Sequence, residues 1–178
     1  MSQQQQNMAG IRPPTPIGLG VVGTAPLTSE IREAEATLAS LRRLAAEQSF
    51  EEGFENEFSR SLAELVEGHA GVPALNILVG QLASGLLPAE VVSETARVLG
   101  RIEHPPTRAA RMAVIESCLA SPLAPVRDGA VVGLSHLDDP AAIPLLRRAI
   151  ERESCGGLRA DMQQVLDQLE ATARCRSS

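Results

Sequence analysis

The chain has 178 residues, room for one domain of ordinary size plus an appendage. It is 44% hydrophobic but only 2% aromatic, so its core is Leu, Val, Ile and Ala, a choice that favours helices over an all-β fold. The basic residues are all arginine, which excludes Schiff-base and P-loop lysine chemistry, and a net charge of −6 disfavours a general nucleic-acid surface.

Residues 1–27 open with Ser2 and the Gln3 to Gln6 run. They continue through Pro13, Pro14, Pro16, Gly18, Gly20, Gly23 and Pro26 with Arg12 as the one charge. Such a stretch buries too little apolar surface to offset its ordering entropy and is expected to be a disordered tail. Its GxGxxG spacing lacks the strand and helix that a dinucleotide fingerprint needs. Its PxxP spacing reads as linker, and its polar, charge-poor character also suits an export signal.

Thr28 or Ser29 is placed to cap a first helix whose apolar stripe is Ile31, Ala34, Leu38, Leu41 and Ala45. Ser49, Phe50, Glu51 and Glu52 read as a capping box opening a second helix with Phe50, Phe54, Phe58, Leu62 and Leu65 on one side. Gly68 is placed to end it as a C′ glycine. This expected hairpin, residues 28–68, holds ten acids against four arginines and carries −6, whereas residues 69–178 carry only −1. Phenylalanines at steps of four form a slanting band that one partner helix does not fully cover. Phe50, Phe54 and Phe58, rimmed by Glu51 and Glu55, are therefore a candidate binding surface beside the alternative that all three are core.

From Val72 onward prolines and glycines punctuate short Leu- and Ala-rich helices of about 11–16 residues. Pro73, Pro88, Pro105 or Pro106, Pro125 and Pro140 are placed to open five of them, and Gly157 an eighth. Pro144 falls inside the seventh and predicts a bend there. Self-comparison aligns Val91, Leu99, Ile102 and Pro105 with Val126, Leu134, Leu137 and Pro140. The second set continues onto Leu158, Leu166 and Leu169, and Arg127 onto Arg159, so residues 69–178 read as one helical hairpin per repeat.

The run from Val126-Arg127 through Leu134-Ser135-His136-Leu137 and Asp139-Pro140 to Ala142-Ile143-Pro144-Leu145-Leu146 resembles a HEAT repeat of the bilin-lyase-like type. The likeness is clearest over 122–173 and thinner over 88–121, where Val92 stands in the arginine position and His104-Pro105 replaces Asp-Pro. It implies an all-α, right-handed α-solenoid of stacked hairpins. Its enzymatic implication, a bilin-lyase-like subunit, meets no tyrosine or tryptophan to line a chromophore pocket. Repeat-type DNA glycosylases offer a third analogy, which needs a basic concave face.

No motif carries chemistry on its own. His69, His104 and His136 lack paired ligands at helical spacing, although His136 lies beside Asp138 and Asp139. Cys155 precedes a helix N-terminus, Cys118 reads as core and Cys175 as terminal; three thiols in this spacing make neither a disulfide framework nor a zinc site. Arginines fall on solvated faces, with Arg97 and Arg101, Arg108 and Arg111, and Arg147 and Arg148 beside Arg152. Of these, Arg108, Arg111, Arg147 and Arg148 are candidates for receiving an acidic partner. No membrane span or signal peptide is visible, and the arginine bias points to a GC-rich bacterial genome. The expectation is a cytoplasmic, non-catalytic scaffold or adaptor for another protein with no cofactor and no metal. A toxin-neutralising immunity protein, a secretion chaperone or an enzyme subunit stay open.

Overall fold

The computed structural model describes residues 25–47, 56–83, 85 and 87–176, and among them there are helices and no strand. In order they are α1 (Ala25–Glu47), α2 (Glu57–Glu67), α3 (Gly71–Ala83), α4 (Ala89–Arg101), α5 (Arg108–Leu119), α6 (Ala124–Leu137), α7 (Ile143–Arg152) and α8 (Gly156–Arg176). Residues 1–24 of the expected tail and the Ser49 to Glu52 capping box lie outside the described residues; residues 25–27, placed in the tail, instead begin α1, so Thr28 and Ser29 lie inside that helix and do not cap it.

Helix α2 begins later than its phenylalanine periodicity suggests. Asn56 accepts the Ser59 amide at 2.8 Å while Ser59 Oγ accepts the Asn56 amide at 2.9 Å, a reciprocal box that fixes the start at Glu57. Gly68 ends the helix but in an extended conformation, its N–H donating to the Glu64 and Leu65 carbonyls, rather than as a left-handed cap. From Val72 onward the helix lengths also run wider than expected, from 10 residues in α7 to 21 in α8.

Prolines act where the chain needs no amide donor. Pro88 precedes α4, Pro125 sits in the first turn of α6, and Pro105 and Pro140 open short 3-10 turns, Pro105–Thr107 and Pro140–Ala142, that lead into α5 and α7. Because Pro140 belongs to that separate turn, Pro144 falls in the first turn of α7 and not in a helix interior. The expected bend is therefore replaced by a change of helix type. Asp139 caps the 3-10 turn by accepting the Ala141 amide at 3.1 Å.

Helices α2, α4, α6 and α8 pack in series, and α1, α3 and α5 form a second series alongside. Their buried side chains make one continuous cluster from Ala34 to Leu169. Phe58, Leu62, Leu65 and Val66 join α2 to Leu38 and Leu41 of α1, while Ile31 stays 40% exposed, off the buried stripe. Leu134 and Leu146 are fully enclosed; Leu145, placed in the core by the repeat pattern, is only half-buried. Burying a leucine completely contributes roughly 1.5–3 kcal/mol.

The closest approach is between α4 and α6. A Cβ added at Gly129 would meet Ser93, one at Gly133 would meet the Ala96 carbonyl, and one at Gly100 would meet the Gly133 backbone, all closer than real Cβ contacts come. Small residues spaced by three and four thus let these two helix backbones touch.

Candidate interaction site

Guanidinium groups bridge the hairpins. Arg97 Nη2 lies 2.7 Å from Asp128 Oδ2, joining α4 to α6, and Arg108 Nε lies 2.7 Å from Asp139 Oδ2, joining α5 to the Pro140 turn. Both links span 31 residues. Arg108 also donates to the Leu137 carbonyl at 2.9 Å, and the Arg108 guanidinium helps to hold the Asp139 carboxyl below its ordinary value against the opposing effect of burial. Arg147 pairs with Glu170 at 2.6 Å, tying α7 to α8.

Arg111 is not on a solvated face. It is 1% exposed, with Nη1 donating to the Leu99 carbonyl at 2.6 Å and Nη2 to the His104 carbonyl at 3.3 Å. It thereby satisfies a carbonyl near the C-terminal end of α4, and burial lowers the pKa of its guanidinium. Phe58 is likewise 3% exposed and part of the core, so it is no surface anchor; Phe50, Phe54, Glu51 and Glu55 lie outside the described residues. Arg148 is the one arginine of the expected set that stands exposed without an ion pair among the described residues.

Sequence reasoning missed Glu153. It lies between α7 and α8, is 4% exposed, and takes a two-pronged contact from Arg127, with Nε at 2.7 Å and Nη2 at 2.9 Å. That hydrogen bond, with the Cys155 amide, holds its carboxyl down at about 2. Arg127 Nη1 also donates to the carbonyls of Ser121 and Pro122, each at 3.0 Å, and Arg159 donates to the Glu153 carbonyl. The Val-Arg positions of the repeat pattern were the available clue. They are corner clamps, not surface charges.

Two clefts open beside this clamp. In the second series α7 stands off from α5, leaving a space of about 400 Å³ lined by Glu116 and Leu119 of α5, Leu145, Arg148 and Arg152 of α7, and Met162 of α8. On the other side a trough of about 500 Å³ lies among α4, α6 and α8, lined by Glu90, Arg97, Asp128, Cys155 and Asp161. Leu123, 51% exposed, sits on the corner between them: Pro122 lines the first cleft, Ala124 and Pro125 the second.

The histidines are scattered. His104 Nδ1 is 3.0 Å from Thr107 Oγ1, whereas His69 and His136 are exposed. The carboxylates near His136 are occupied by other groups, Asp139 by Arg108 and Asp138 by Thr172 and Gln168. Cys118 is buried, which pushes its thiol up to about 12, and Cys155 and Cys175 are exposed. Among the described residues no group of histidine, cysteine and carboxylate is arranged to hold a metal ion, and no helix is long and apolar enough to cross a membrane.

No family model, curated protein or solved structure matches the chain.

Proposed function

We propose that the protein is a scaffold: a short stack of HEAT-like hairpins that binds another protein without catalysing a reaction, as an accessory subunit, chaperone or regulator of a larger bacterial assembly. The observation that carries this reading is the serial packing of α2, α4, α6 and α8, with ion pairs that tie successive segments together, two of them joining residues 31 apart. Each helix contacts its neighbours in the row, so the surface extends with every hairpin added, the general property that suits repeat proteins to broad, shallow recognition. Rigid links between hairpins reduce the ordering cost of association. The openings lie between hairpins, and Arg97, Asp128, Arg127 and Glu153 of their walls are engaged in such links.

The three free thiols suit a reducing compartment, in keeping with a cytoplasmic setting. Affinity capture of the full chain from its native cell, followed by size-exclusion chromatography of the eluate, tests the reading. The expected result is a protein partner in stoichiometric amount that stays associated through the column. A chain that elutes alone and turns over a small-molecule substrate sinks it.

A further inference from the structure

We propose that the corner at Leu123 and the cleft between α5 and α7 form the docking surface, and that its occupant is a protein segment combining carboxylates with aliphatic side chains; this rests on the scaffold reading above.

The first observation is the interrupted packing. Helices α1, α3 and α5 follow one another in contact, but α7 stands back from α5 and leaves an open cleft where the series would otherwise continue. Beside the buried Leu119 and Met162, Leu145 is only half-buried in that lining. A partner's aliphatic side chain completes the row, and removal of that surface from water is the driving force.

The second is charge. Arg148 and Arg152 stand one helical turn apart on the same face of α7, both exposed and neither in an ion pair among the described residues. Arg152, in the last turn of α7, also favours the helix dipole, whereas Arg148 lies a turn earlier. The cleft's other arginine, Arg127, and its buried carboxylate, Glu153, neutralise each other. Glu116 on the α5 wall is the remaining carboxylate of the lining, which leaves two guanidinium groups against one opposing charge. That imbalance matches an acidic segment and disfavours a basic one.

The third is the presentation of Leu123. Isolated exposed leucines are ordinary, but here the carbonyls of Ser121, Pro122 and Leu123 and the Leu123 N–H are all tied down. The Leu123 N–H donates to Ser121 Oγ at 3.2 Å, its carbonyl accepts from Val126 and Arg127, and Arg127 holds the two preceding carbonyls. An apolar side chain held out on a fixed corner docks with little loss of conformational freedom. Its neighbour Pro122 lines the same cleft as Arg148 and Arg152, so the corner adjoins a charged wall, as apolar anchors at protein interfaces adjoin polar rims.

The test uses the full chain and a fluorescent amphipathic peptide of leucine and glutamate, with a leucine and arginine peptide of the same pattern as its opposite. Fluorescence anisotropy should show binding of the glutamate peptide and at least about tenfold weaker binding of the arginine peptide. Arg148→Glu with Arg152→Glu, and separately Leu123→Ser, should each weaken the glutamate peptide at least about tenfold, whereas Val72→Ser, at another exposed apolar position, should not. Circular dichroism melting confirms that these surface variants fold. Equal binding of the two peptides, no binding of the glutamate peptide, or indifference to the substitutions overturns the proposal. So does a doubled mass in light scattering that the double variant abolishes, since the occupant is then a second copy. Native partners retained in full by both variants remove this surface but leave the scaffold reading standing. Absence of any partner in the native capture removes the scaffold reading itself.

Discussion

From α1 to α3 the helices meet mostly through side chains, with Phe58 and Leu62 set among Leu38, Leu41 and Leu78, and backbone comes close only at the α2–α3 corner, where Gly71 faces the Val66 carbonyl. From α4 onward, backbone meets backbone across Gly100, Gly129 and Gly133, and arginines bridge successive hairpins. Flexible aliphatic side chains can share out a change in volume among several neighbours, whereas a glycine pressed on a carbonyl has nowhere to move it. The two regions should therefore differ less in how much apolar surface they bury than in how sharply they respond to small changes. The charge distribution follows the same division, since the unbalanced −6 belongs to residues 28–68 and the arginine links lie beyond α3.

The largest effects should fall on deep leucines in both regions. Leu62→Ala and Leu134→Ala should each cost about 4 kcal/mol in urea unfolding, and because the core is continuous both should move one shared transition. A variant that splits the transition in two would show that the regions unfold separately. Next comes Gly133→Ala, which should cost about 3 kcal/mol because the new methyl meets the Ala96 carbonyl. Gly80→Ala in the first region meets open space in an exposed helix and should stabilise by about 0.5–1 kcal/mol, so the same substitution changes sign between these two positions.

Glu153→Gln should cost about 3 kcal/mol by leaving Arg127 without its carboxylate partner. The carboxyl sits at about 2 in the folded chain against an ordinary 4.5, so the stability it contributes is present above 4.5 and is lost as pH falls toward 2. Between pH 5 and about 2.5 the wild-type Tm should consequently fall further than that of Glu153→Gln. Equal falls would mean that Arg127 gains nothing from the charge on its partner.

Much of the helix order was legible in the sequence because prolines mark helix starts through a local rule, and Pro88, Pro125 and Pro140 obey it. The start of α2 was not, since Asn56 and Ser59 lack the Ser-x-x-Glu form and the upstream Ser49 to Glu52 run has it. Arg111 and Arg148 look alike in sequence, each near another arginine; only the direction each helix face takes in the packed chain buries one and exposes the other. The glycine seam was hidden for a related reason. A helical glycine reads as a weak point until its partner helix is known. Leu123 was equally silent, an apolar residue between prolines whose exposure depends on the corner that Arg127 holds.

The equal reach of Arg97 and Arg108 also sets a rule for how this chain can change length. Each guanidinium must find a carboxylate 31 residues further on, so the molecule should accept the duplication of a whole hairpin far more readily than the insertion of a few residues within a helix. A partial insertion between Arg97 and Asp128 rotates every later side chain on its helix and breaks several links together. Growth by complete copies keeps them all.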